Sequence, residues 1–471
     1  MRNIRLFAMK LSILILLFFC CVTQTKSQDT IPVLKGNVTI SIEKGTIACD
    51  FTLSNIPNIE DYVIRINSGM NILYFKNKTS GSLLYFDRDR SDSTSFGESI
   101  AYFFGGTKGV RKFLPKEIEV RYVGMFPVID TAKETMVEDW RGNIAFVGKT
   151  LRADGYQSAW YPIIFDMKKQ ILYQKVKYDV QVNCSDCKTL YVNGSKPIIG
   201  QSNNFKSDTP QELLLYCGNY DFENLDNTYV LNGKMTNTQL SDFGSLVNGF
   251  KKYYETKLKL KYNGDITFIN TIPTAKKYGF LFVSYPTITS VNAQPSGLNR
   301  FIDTKASAFY KPYVAHELGH YYFGELLRTN SEFGPVFNEG FTEYISLKLT
   351  KDLISDSLYK VNVAKKIKSL KDFKPKAFSQ LKTQSDFNNR DLYVYYYVPI
   401  VLLALEHELG EKKMWEWLNE IILSKTDFTN YDFLKRSLVK SLDKKLYEHI
   451  INSYFETDES LLNAIKKISN Q

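Results

Sequence analysis

The residues in this chain best suited to chemistry are His316-Glu317-Leu318-Gly319-His320. Their surroundings read as helix, and in a helix two histidines four positions apart lie on one face, one turn from each other. Two imidazole nitrogens so placed can share one tetrahedral zinc ion, which needs a third protein ligand and an open fourth position for water. Glu317 is rotated by about 100° from His316, so its carboxylate can address that water as a base without binding the metal. Downstream stands Val336-Phe-Asn-Glu339-Gly-Phe-Thr-Glu-Tyr344, with eighteen residues between His320 and Glu339. That interval suffices to end one helix, turn through Gly334-Pro335 and lay a second helix alongside, for which Asn338 is the expected cap. Glu339 then supplies the carboxylate ligand, and one zinc per chain is expected. Glu343, one turn further, is open to two readings: a partner of a metal ligand, or, as favoured, a solvent-facing helix residue. His407-Glu-Leu-Gly-Glu411 repeats the motif's start without its second histidine and reads as a helix end with Gly410 near the cap.

The elements that must position these groups differ between the two halves of the chain. From Asp29 to Ser195, segments such as Val38–Ile42, Val63–Ile66, Glu117–Tyr122 and Tyr178–Val182 are β-branched or alternate apolar with polar, and Gly and Asn punctuate them. Short strands in series predict a sandwich or saddle of antiparallel sheets. From Leu240 to Leu260 the apolar residues Phe243, Leu246, Val247, Phe250, Tyr253 and Tyr254 take helical spacing. Strands are expected at Asp265–Ile269 and Phe280–Val283, and helices dominate from Ala306 onward. The fold class is therefore α+β and multidomain, with a boundary between residues 195 and 212.

Bulk properties narrow the function. The 471 residues are 44% hydrophobic and 23% charged, an ordinary globular composition with a net charge of +10. No basic stripe with interleaved aromatics and no phosphate-cradling glycine loop is present, so nucleic acid is not an expected partner. Arg2, Arg5 and Lys10 precede an apolar run from Leu11 to Val22 and a polar exit near Ser27, which reads as an export signal over residues 1–27. The run falls short of the roughly 20 apolar residues a bilayer demands, and no other segment could span one. The mature chain is thus expected outside the cytoplasm: periplasmic, at the cell surface or secreted. A lipid anchor on Cys20 or Cys21 is the alternative, against which Phe19 stands where a small residue is wanted before Cys20. Beyond the signal remain Cys49, Cys184, Cys187 and Cys217, which allow three pairings that sequence cannot choose among.

The stretch His316-Glu-Leu-Gly-His-Tyr-Tyr-Phe-Gly324 through Asn338-Glu-Gly-Phe-Thr-Glu-Tyr344 resembles the gluzincin family of aminopeptidase N and leukotriene A4 hydrolase, gap included. Trp160-Tyr-Pro162 and Val192-Asn-Gly194 resemble landmarks of that family's β-rich first domain, and Phe250–Tyr262 resembles the helix leading into its thermolysin-like domain. The resemblance covers roughly residues 30–420 and is strong over 310–345. It implies a β-rich domain over 28–205, a thermolysin-like zinc peptidase domain over 206–425 and a short all-α part over 426–471, without the family's long helical-repeat domain. It also implies a peptide or protein substrate and a tyrosine that stabilises the oxyanion. Tyr395, in Tyr393-Val-Tyr395-Tyr396-Tyr397, takes that place, with Tyr396 and Tyr397 as alternatives one and two residues on.

The chain departs from the family where a substrate's free amine is held. Counterparts of the family's acidic residues are Gln294, in Asn292-Ala-Gln294-Pro-Ser-Gly297-Leu, and Gln157, ahead of Trp160-Tyr-Pro162. A neutral amide gives an ammonium a hydrogen bond but no ion pair. The expected activity is therefore peptide-bond hydrolysis with a relaxed need for a free amino terminus. Endopeptidase or epoxide-hydrolase chemistry on the same fold, or a binding protein on a peptidase scaffold, are the alternatives.

Overall fold

A computed structural model describes residues 31–90, 97–105, 112–130, 142–225, 227–275, 279–291, 297–302, 307–426 and 428–469. The expected export signal and Gln294 lie outside the described residues.

The first half is built on alternation. Strand Lys175–Cys184 buries every second side chain, and Thr46–Ser54 and Ile118–Met125 do much the same, so each offers one apolar face to a core. They join a seven-stranded sheet in which Val33–Ser41 runs antiparallel to Thr46–Ser54 but parallel to Lys175–Cys184. The saddle is thus mainly, not wholly, antiparallel. Sheets of six and five strands complete this half. Trp160 sits fully buried in the core; its indole N–H donates to the Leu213 carbonyl at 2.7 Å and its own carbonyl accepts from the Tyr122 hydroxyl at 2.7 Å. Both polar ends of the pair are satisfied, which a buried Trp and Tyr require. Cys184 and Cys187 form a disulfide, while Cys49 and Cys217 are free and buried.

The stretch expected to hold the domain boundary is itself a strand, Ser202–Glu212, paired with Lys175–Cys184. Beyond it, Thr228–Leu231 leads through helix Asn237–Leu258 to the parallel strand Ile266–Thr271. Thr236 and Gln239 cap that helix reciprocally, satisfying two of its otherwise orphaned N–H groups. Phe243, Val247, Phe250, Tyr254 and Leu258 form its buried stripe. The resulting five-stranded sheet ends on Phe280–Ser284, an edge strand.

Helices then follow to the carboxyl end. Val398–Leu409 is buried along most of its length and stops at Gly410, whose φ of 81° few other residues tolerate. Tyr431–Ser441, Lys444–Ile450 and Ser460–Ser469 form the terminal helical part, tied back where the Tyr397 and Ser460 hydroxyls meet at 2.6 Å. The chain is a multidomain α+β protein. No helix among the described residues is long and apolar enough to cross a membrane.

Candidate metal centre

His316 lies near the end of helix Ser307–Gly319, and His320 follows directly after it. The next residues open into a wide π-type turn, Tyr321–Leu326, where Gly324 adopts φ 165° and ψ −50°. The facing helix begins after Pro335, so Glu339 lies inside its first wide turn, Val336–Phe341. Asn338 therefore is not a cap, as the sequence suggested. Its amide instead donates to Glu339 Oε1 at 3.3 Å. Close approach of the helices depends on small residues. A Cβ on Gly319 would stand 3.0 Å from Thr342 Cγ2, and one on Gly340 would stand 2.4 Å from Val398 Cγ1.

Three donors converge. His316 Nε2 is 3.3 Å and His320 Nε2 3.5 Å from Glu339 Oε2, and the ligand atoms of all three residues lie within 4.8 Å of one another. The other ring nitrogens are engaged elsewhere: His316 Nδ1 meets Glu343 Oε2 at 2.8 Å, and His320 Nδ1 meets Thr342 Oγ1 at 3.4 Å. A carboxylate only accepts, so Nδ1 of His316 carries a proton and Nε2 is aimed inward. Facing carboxylates on both sides, the ring favours the imidazolium. Burial opposes that charge, but hydrogen bonds to Glu339 and Glu343 outweigh it and push the His316 pKa up to about 10. Burial would also raise Glu343, yet Lys366 and His316 hold it at about 2. A divalent cation would replace the Nε2 proton in this concentration of negative charge. Two inward imidazole nitrogens and one carboxylate oxygen, with the outer nitrogens fixed, fit zinc.

Glu343 is therefore not the solvent-facing residue favoured from sequence: one oxygen meets His316 and the other binds Lys366 Nζ at 2.6 Å. Tyr395, Tyr396 and Tyr397 separate cleanly. The Tyr395 ring lies 5.9 Å from that of His316. The Tyr396 ring lies under Lys366 Nζ at 4.9 Å, and Tyr397 is buried against Ser460. Burial and the nearby Glu339 charge hold the Tyr395 hydroxyl protonated, raising its pKa.

Two cavities, of about 590 and 320 Å3, flank the centre and share Leu281, His316, Glu317 and Tyr395. The cleft thus continues on both sides of Glu317. Leu281, on edge strand Phe280–Ser284, is an apolar residue on the strand that borders the centre. Gln157 lines neither cavity; its side chain turns to the Tyr156 hydroxyl at 3.5 Å, and Tyr156 and Glu212 line the smaller cavity instead. Glu212 accepts from the Tyr156 N–H at 3.0 Å and the Ser284 hydroxyl at 2.8 Å, joining the β-rich half to the edge strand. Sequence reading missed Glu212, Lys366 and Arg390, whose guanidinium lies 3.6 Å from Glu339 Oε1. Lys366 left one trace, a lysine beside Val363 and Ile367 on an otherwise solvated helix, Asp356–Ser369.

The fold is similar to that of solved M1 zinc metallopeptidases and leukotriene A4 hydrolases. The M1 zinc metallopeptidase of Deinococcus radiodurans, solved as a point mutant bound to the substrate Tyr-Ser-Ala, superposes with a TM-score of 0.58 at 10% identity, over 89% of this chain and 93% of that one. Native leukotriene A4 hydrolase from Saccharomyces cerevisiae gives 0.60 at 16% identity, over 93% and 70%. The yeast enzyme was also solved with bestatin, at 0.57 and 14% identity over 92% and 69%. No family model and no curated protein matches the chain.

Proposed function

We propose that this chain is a zinc-dependent metallopeptidase holding one zinc on His316, His320 and Glu339. The observation that carries the reading is the meeting of His316 Nε2, His320 Nε2 and Glu339 Oε2 in a cleft that Glu317 also lines. When bound there, zinc supplies the Lewis acidity that peptide hydrolysis needs. Glu317 takes a proton from the attacking water and returns it to the leaving amine. The Tyr395 hydroxyl donates to the carbonyl oxygen as charge develops on it. Edge strand Phe280–Ser284 lines the cleft, and an extended peptide can lie along it.

The activity is aminopeptidase-like, with a relaxed need for a free amino terminus. Leu281 supports this, being an apolar side chain on the bordering strand. So does the use of Glu212, whose oxygens each accept one hydrogen bond, as a joint between the halves. The Deinococcus enzyme's tripeptide complex supports a peptide substrate. The basic and apolar start of the chain supports export. Elemental analysis of protein purified without chelator, together with cleavage of a peptide library, tests the reading. One zinc per chain and peptide cleavage are expected, and absence of zinc before and after reconstitution would refute it.

A further inference from the structure

Glu339 presents its two oxygens to different partners. Oε2 faces the imidazoles, at 3.3 Å from His316 Nε2 and 3.5 Å from His320 Nε2. Oε1 faces the other way, at 3.6 Å from Arg390 Nη2 and 3.3 Å from Asn338 Nδ2. Arg390 comes from the start of the segment that also carries Tyr395, and its guanidinium lies 6.0 Å from the Tyr395 ring centroid. One cation therefore borders both the carboxylate of the metal centre and the tyrosine of the cleft.

We propose that Arg390 is a positioning residue that holds Glu339 as a one-oxygen ligand. Left free, a carboxylate can rotate and offer a metal both oxygens, crowding the position a catalytic zinc keeps for water. The Asn338 hydrogen bond and the Arg390 charge, both on Oε1, oppose that rotation. Asn338 adjoins Glu339 in sequence and shares its backbone, whereas Arg390 reaches in from another element and fixes the carboxylate against the Tyr395 wall. An opposing effect exists: a positive charge near zinc repels it. Arg390 is 44% exposed, however, so solvent screens this repulsion, while orientation acts at contact. Groups that orient a ligand from behind typically change metal affinity 10–100-fold when removed.

This inference rests on the zinc reading, and one experiment separates the two. Unmutated protein and Arg390→Gln are stripped of metal, and zinc affinity is measured by competition with a chelating dye. The visible spectrum is then recorded with cobalt(II) in place of zinc. The expected result is zinc binding weakened about tenfold or more in the variant. Its cobalt bands should also lose intensity, as a second carboxylate oxygen takes the centre from four to five ligands. Equal melting temperatures of the metal-free proteins show that the fold is intact. Should Arg390→Gln melt earlier, Arg390→Met, which keeps the apolar stem and loses the charge, carries the same two readings. Zinc affinity within about twofold of the unmutated protein, or tighter, overturns the role of Arg390. So does an unchanged cobalt spectrum. Failure of the unmutated protein to bind zinc would instead overturn the function proposed above.

Discussion

Glu343 Oε2 and His316 Nδ1 stand 2.8 Å apart, joining the two helices that carry the metal centre. The bond fixes the tautomer that turns Nε2 inward, and Lys366 neutralises the carboxylate from behind at 2.6 Å. Glu343→Gln can still accept one hydrogen bond but removes the charge and misdirects the Lys366 contact. Zinc affinity should fall about 10–100-fold, measured by chelator competition, with the overall fold retained by circular dichroism. Unchanged affinity would make Glu343 merely a helix residue.

Glu317→Gln should keep its zinc and lose turnover by roughly two to four orders of magnitude, since a positioned base contributes about that much. Metal content and single-turnover peptide hydrolysis on the same preparation separate the two effects. Near-normal turnover in the zinc-loaded variant would move the base to another residue.

Tyr395→Phe should lower kcat on the order of a hundredfold with KM little changed, as loss of an oxyanion donor does. Tyr397→Phe should behave differently, because its hydroxyl meets Ser460 in the core and the residue lines neither cavity of the cleft. It should cost about 0.5–1.5 kcal/mol of stability in denaturant unfolding and leave kcat alone. The opposite assignment of effects would show that the tyrosine register is misplaced.

Amino-terminal acetylation of a good peptide substrate should reduce kcat/KM only modestly. Glu212→Gln should leave the ratio of free to acetylated rates unchanged, because Glu212 already bonds the Tyr156 N–H and the Ser284 hydroxyl. If acetylation abolishes cleavage and Glu212→Gln restores the balance, Glu212 holds the substrate's ammonium and the enzyme is a strict aminopeptidase.

Gly340→Ala should destabilise the protein by roughly 1–3 kcal/mol, the usual cost of overpacking a tight site. The added Cβ would stand 2.4 Å from Val398 Cγ1 and 2.7 Å from Val398 Cβ, and a β-branched side chain on a helix has no free rotamer to yield. Alanine's helix-propensity gain, about 1 kcal/mol, is too small to offset that. Chemical unfolding with metal removed from both proteins measures it, and equal midpoints would mean that the helices simply move apart.

What sequence could reveal followed the range of each signal. The pairing of His316 with His320 is a rule internal to one helix, and Glu339 came from one short interval. Glu343 misled because its exposure depends on Lys366, brought over by a helix that sequence alone does not dock. Asn338 misled because the facing helix starts at Val336, after Pro335, not at Glu339. The parallel pairing of Val33–Ser41 with Lys175–Cys184 joins strands far apart in the chain, where alternation gives no register. Likewise, the strand bordering the centre is Phe280–Ser284, and choosing it needed the order of strands in the sheet as well as their existence.

Lys366 donates to Glu343 Oε1 at 2.6 Å and to the Tyr395 carbonyl at 2.7 Å. A single ammonium thus works as the keystone between the wall that fixes a metal ligand and the wall that carries the tyrosine. Two loads bear on one stone, so the helix Asp356–Ser369 cannot shift against either wall without disturbing both. Metal retention and the placement of the Tyr395 backbone are thereby geared together, with no independent adjustment of one through this helix.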